Sequence, residues 1–135
     1  MEVTLTGSSR QEAVEGESVR RHVADLVLSY HEKSGKPVYG LFIANRIDSN
    51  TAEIFRIGIW FTRTDDKMRL DIIPFTLAQF KELFEVLFTT NRVDVRLIRE
   101  LLDHCGELRP HHEAPAWKRE IERCIRHQIA TWSPG

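Results

Sequence analysis

Glu2 and Thr4 stand two residues apart, with Val3 between them, in a short run of strand-forming residues. Alternate side chains of a strand share a face, so this carboxylate and this hydroxyl project the same way. A hard divalent cation such as Mg2+ takes carboxylate oxygens and keeps several waters. It is commonly held by one or two carboxylates together with a substrate phosphate. A strand bearing Glu-x-Thr and followed by a polar helix can take part in such a site; a solvated strand end shows the same pattern. His104, Cys105, His111, His112, Cys124 and His127 invite comparison with a zinc site. Paired ligand spacing is missing, however, and both cysteines fall on apolar stripes, which predicts small buried thiols and surface histidines. Arg119, Arg123 and Arg126 share a helical face and could touch phosphate, but Glu120 and Glu122 beside them point to a solvated face. The sequence has no nucleophile elbow, Gly-rich phosphate loop or dinucleotide fingerprint.

The elements that must position these groups follow from hydrophobic periodicity. Val3 to Thr6 reads as a strand stopped by Gly7-Ser8-Ser9. From Ser18 to about His31 the residues Val19, Val23, Leu26, Val27 and Tyr30 form one helical stripe, ended by Gly35 and Pro37. Val38 to Ala44 is a continuous apolar run between turn signals, as expected of a strand buried on both faces at the centre of a parallel or mixed sheet. Ser49 or Asn50 can cap a helix starting near Thr51, and the pattern predicts that it continues through IFRIGIWF to Phe61, with Gly58 as a weak point. Met68 to Phe75 reads as one strand that Pro74 ends or places at an edge. Thr76 caps a helix to about Phe88, with Leu77, Phe80, Leu83, Phe84, Leu87 and Phe88 as its inner face. Val95, Ile98, Leu101, Leu102 and Cys105 mark another helix, stopped by Gly106. A last helix runs from about Pro115 to Thr131. The alternation of strands and helices predicts an α/β layered domain.

Composition narrows the class. With 135 residues, 41% hydrophobic and 29% charged, the chain has the balance of one globular domain. Nineteen Lys and Arg against 20 Asp and Glu give a net charge of -1, which excludes a polycationic tail but not local basic patches. No apolar run is long enough to span a bilayer, no secretory signal is evident, and two cysteines make no disulfide scaffold, so a reducing cytoplasm is expected.

The segment EVTLTGSSRQEAVEGESVRRH from Glu2 to His22 resembles part of the AlwI-type restriction endonucleases, relatives of the FokI cleavage domain. The resemblance continues through KPVYGLFIAN (Lys36 to Asn45), DSNT (Asp48 to Thr51) and IIPFTLAQF (Ile72 to Phe80), and covers roughly residues 2 to 88. It implies a type IIS nuclease domain of the P-D…(D/E)-x-K kind. The fold would be a restriction-endonuclease-like mixed sheet flanked by helices over residues 1–90, with a helical extension over 91–135 packed on it.

Carried over residue by residue, the resemblance makes Glu2 the second metal-binding acid and puts Thr4 where the family has a Lys. Gln11 and Glu15 would face the metal or the phosphate, and Ser8, Arg10, Arg20 and His22 would reach the DNA backbone. The implied activity is Mg2+-dependent phosphodiester hydrolysis in double-stranded DNA, with a homodimer or a missing nuclease or recognition subunit as partner. The family's first Asp precedes the second acid, and only Met1 precedes Glu2. The expectation is therefore a C-terminal part of a cleavage domain, inactive alone, the alternative being a non-catalytic α/β interaction module on the same scaffold.

Overall fold

The apolar run after Pro37 forms the spine of the molecule. A computed structural model describes residues 2–4, 16–34, 38–91 and 94–133. In it β2 (Tyr39–Ala44) lies between β1 (Glu2–Thr4) and β5 (Asp71–Thr76), and both pairings are parallel. Phe42, Ile43, Ile72, Ile73 and Phe75 are buried, as a strand covered on both faces requires. Pro74 sits in β5, which pairs with β2 alone among the described strands, so its missing N–H interrupts no second ladder.

Helices cover the sheet. α1 (Glu17–Ser34) buries Val19, Val23 and Ala24. Val23 comes so close to β2 that a Cβ built on Gly40 would lie 2.7 Å from Val23 Cγ2, so this central strand position has no room for a side chain. Phe42, on the same strand face as Gly40, packs its ring 5.0 Å from Phe55 of α2 (Ser49–Ile57). On the opposite face the Tyr39 hydroxyl donates to Asp103 of α4 (Val95–Glu107). α3 (Leu77–Thr89) starts directly from β5 through a capping box. Thr76 Oγ1 accepts from the Gln79 N–H at 3.1 Å, and Gln79 Oε1 accepts from the Thr76 N–H at 2.8 Å. α5 (Ala114–Trp132) packs against α2, α3 and α4 and buries Trp117, Ile121 and Ile125 in the same apolar cluster as the sheet. Among the described residues no helix is long and apolar enough to cross a membrane.

Five expectations need correcting. The cap of α2 is Asp48, not Ser49 or Asn50; its carboxylate accepts from the Asn50 N–H at 3.0 Å and the Thr51 N–H at 3.3 Å. That helix ends at Ile57 rather than Phe61. Gly58 adopts the left-handed region (φ 64°) and closes the last turn on Ile54 O, which frees Ile59–Phe61 to form β3, antiparallel to β4 (Lys67–Arg69). The single strand expected from Met68 to Phe75 is broken at buried Leu70. Its N–H is drawn to Gly58 O at 2.7 Å, so β4 joins the hairpin and β5 the main sheet. Phe88 and Val95, expected on inner faces, are 66% and 78% exposed, because each lies near the open end of its helix; Gly106 lies inside α4 rather than past its end. The terminators expected at Gly35 and Pro37 lie outside the described residues.

A buried guanidinium joins these parts. Arg109, in a 3-10 turn at Arg109–His111, donates to Leu70 O at 3.1 Å, Asp71 Oδ1 at 2.5 Å and Gly106 O at 3.0 Å.

Two stability outcomes follow from this geometry. Arg109→Met removes the donors of three acceptors at once, and urea unfolding should show a loss of about 3 kcal/mol with an unchanged slope. A loss under ~1 kcal/mol would mean that water satisfies those groups. Gly58→Ala combines a left-handed backbone with a Cβ 2.8 Å from Leu70 O. It should lower stability by ~2 kcal/mol in the same assay, and an unchanged midpoint would show that the cap relaxes freely.

Candidate functional site

Parallel strands bring their carboxyl ends to one edge of the sheet. Here Thr4, Ala44 and Thr76 end β1, β2 and β5 in register. This is the edge at which open parallel sheets receive ligands, because the loops that follow the strands diverge there.

Beyond that edge lies a groove of about 510 Å3. Asn45 and Arg46 enter from the loop after β2, Thr76 and Gln79 from the start of α3, and Lys118 and Arg119 from α5. Lys118 Nζ donates to Ile47 O at 3.0 Å, which fixes the ammonium against the loop. Glu122 is the acidic member of the lining. Burial pushes its carboxyl up, but hydrogen bonds from Arg126 and Gln79 outweigh that and hold it below the usual carboxylate range. Arg126 also reaches Glu82 at 2.5 Å, so Glu122 belongs to a closed ion-pair network on the flank of the groove.

Glu2 and Thr4 lie in β1, with Glu2 opposite Phe42 and Thr4 opposite Ala44. Ser8, Arg10, Gln11 and Glu15 lie outside the described residues. Arg20 takes up a packing position on α1. Its guanidinium sits 5.3 Å from the Trp60 ring centre, Nη2 donates to Ile59 O at 3.0 Å, and burial lowers its pKa from the ordinary value while Glu17 opposes the shift. Its Nε is buried without a partner among the described residues. His22 is exposed on α1.

Cys105 and Cys124 are buried and face each other across α4 and α5. Their shared hydrogen bond and burial push the Cys105 thiol up; the same bond lowers Cys124, to about 7, with His104 adding to the effect. Arg123 pairs with Glu120 at 2.8 Å, and Arg126 with Glu82 and Glu122, the solvated ion-pair face that the interleaved charges predict. Arg119 has no hydrogen-bond or ion-pair partner among the described residues.

Among the described residues no group of three or more His, Cys, Asp or Glu is placed to hold a metal ion. The register partners of β1, Phe42, Ile43 and Ala44, offer no side-chain ligand. The described residues therefore do not make up a Mg2+ site, and no chemical step can be drawn through one from them.

Sequence periodicity did not single out Lys118 or Arg46. Each looks like any surface cation in its own segment, and both line the groove because Lys118 of α5 bonds the loop after β2 at Ile47 O.

Comparison with known proteins adds family to geometry. No curated protein matches the chain. Among solved structures it is similar to the small subunit of the heterodimeric restriction endonuclease R.BspD6I, with 28% sequence identity and a TM-score of 0.68. The match covers 90% of this chain and 60% of that one, so this chain spans about three-fifths of the length of that subunit. Coverage that wide extends well past residue 88, where the resemblance read from the sequence stopped. Residues 1–83, which include the whole parallel sheet and the first half of α3, match the family of the AlwI restriction endonuclease, and the chain belongs to that family.

Proposed function

We propose that this chain is part of a restriction endonuclease that hydrolyses phosphodiester bonds of double-stranded DNA in a Mg2+-dependent manner. The observation that carries the reading is the family match over residues 1–83. That segment contains Glu2, the one acidic residue of β1, on an edge of the parallel sheet. In this reading Glu2 is one metal ligand, and Thr4, Gln11 and Glu15 belong to the same site. Gln11 and Glu15 face the metal or the phosphate, and the ion's remaining carboxylate comes from outside the described residues or from a partner chain.

Partner dependence is supported by the similar R.BspD6I protein, which is the small subunit of a heterodimer. A second copy of this chain or a larger subunit that reads the DNA sequence would complete the enzyme, since cutting both strands takes two active sites. Ser8, Arg10, Arg20 and His22 remain the proposed DNA contacts of the segment around β1 and α1. For Arg20 the charge would act over distance, because its fork is already engaged by Ile59 and Trp60.

A second reading is a non-catalytic α/β interaction module. Thr4 in place of a cationic Lys favours it. Fold likeness to a nuclease is no proof of catalysis.

Metal linkage separates the two. The chain is melted with a duplex oligonucleotide over a Mn2+ titration, as wild type and as Glu2→Gln. Metal at ten times its Kd stabilises by about 1.4 kcal/mol, which for a chain of this size is a rise of roughly 3–6 °C. The nuclease reading expects a saturable rise in the wild type that Glu2→Gln abolishes, with little cleavage of supercoiled plasmid by the chain alone. No rise in either protein favours the interaction module and excludes a metal site completed within this chain. Robust plasmid nicking by the isolated chain would overturn partner dependence.

A further inference from the structure

We propose that the groove at the carboxyl ends of β2 and β5 seats a backbone phosphate of duplex DNA, with Lys118 and Arg119 of α5 as its positioning residues. This rests on the DNA-directed reading above, and it adds a contribution from the C-terminal helix, which lies outside the family match over 1–83.

Location comes first. The groove opens where Thr4, Ala44 and Thr76 end the three parallel strands, so a strand of DNA lying along this edge passes both β1 and α5. Size comes next. A volume of about 510 Å3 holds a phosphodiester with its flanking sugar.

Charge decides the sign of the ligand. Lys118 and Arg119 bring two cations, and the one acidic lining residue, Glu122, is already held by Arg126 and Gln79. Lys118 and Arg119 favour an anion in the groove although the chain as a whole carries -1.

The two α5 cations have complementary forms. Lys118 is half-buried and anchored at 3.0 Å to Ile47 O, which uses one of its three N–H donors and leaves two at a fixed place. Arg119 is exposed and has no hydrogen-bond or ion-pair partner among the described residues, so its planar fork is available to a phosphate. The second basic groove of the molecule differs. There Arg56 is paired with Glu53 and Arg109 with Asp71, leaving Lys67 and Arg69 on the hairpin as exposed cations. Those two supply a control of equal charge at another place.

The test is fluorescence anisotropy of a labelled duplex with the full chain in EDTA, so that no metal or cleavage intervenes. Titrations at several salt concentrations compare wild type, Lys118→Gln, Arg119→Ala and the Lys67→Gln/Arg69→Gln control, each with a thermal melt. Removing one phosphate contact lowers the slope of log K against log salt by about 0.9. The proposal expects that drop, with roughly three- to tenfold weaker binding near 0.1 M salt, for each α5 variant. It also expects a smaller change for the double control. Arg119→Ala removes an exposed side chain, so its melt stays at the wild-type value; Lys118→Arg should restore the slope.

Binding by the wild type with unchanged slopes in both α5 variants would overturn the phosphate seat and leave the DNA reading standing. No duplex binding by the wild type would remove both. Displacement of the duplex by millimolar inorganic phosphate, with no salt slope, would assign the groove to free phosphate and also overturn the proposal.

Discussion

Arg109 is the contact on which the arrangement of the helical layer depends. A buried guanidinium is tolerated only when its donors are met, because desolvation of a charge is expensive and its partners are orphaned if it leaves. The three acceptors of Arg109 belong to different parts of the chain: Leu70 at the break between hairpin and sheet, Asp71 at the start of β5, and Gly106 near the end of α4. Its own carbonyl accepts from Arg56 of α2 at 3.3 Å. One residue thus fixes the 3-10 turn that leads into α5. Trp117 then locks the first turn of α5 by donating from Nε1 to Cys105 O at 2.9 Å. Lys118 and Arg119 follow directly, so the position of the two cations at the sheet edge is set by a contact on the far side of the turn.

Much of this architecture was legible from local patterns, for local reasons. The apolar run of β2 reads as a doubly covered strand because both of its faces are covered. The Thr76–Gln79 capping box lies within four residues, so its geometry is written in the sequence. The helix-to-strand change at Gly58 was less legible. IFRIGIWF suits either state, and the choice falls to Gly58, whose left-handed cap is compatible with a helix end, and to KMR, which lies six residues beyond Phe61 and supplies the pairing strand. Leu70 is the same case. Nothing in RLDIIPF says that a carbonyl of Gly58 will take its N–H and split one strand into two.

The candidate site divides in the same way. Glu2 and Thr4 could be placed on a strand because alternation is local. Arg20 looked like a free phosphate ligand, since neither Trp60 nor Ile59 is near it in sequence; in the fold they engage its guanidinium. The converse holds at Arg119, where Glu120 and Glu122 as neighbours suggested a neutralised face. Glu120 goes to Arg123 and Glu122 to Arg126, and Arg119 is left with neither. Counting charges along a helix cannot find this, because ion-pair choice depends on which turn faces which neighbour.

Net charge misleads for a related reason. A value of -1 says nothing of where the charges lie: Glu120, Glu122 and Glu82 of α5 and α3 are paired with Arg123 and Arg126. Pairing weakens their field at short range and leaves Lys118 and Arg119 as the cations that face the groove. The Arg126 network therefore does more than decorate the surface. It holds Glu122, the one acidic residue of the groove lining, and bridges α3 to α5 through Glu82. The ion-pair face that looks like ordinary solvation thus engages the acidic side chains beside Lys118 and Arg119.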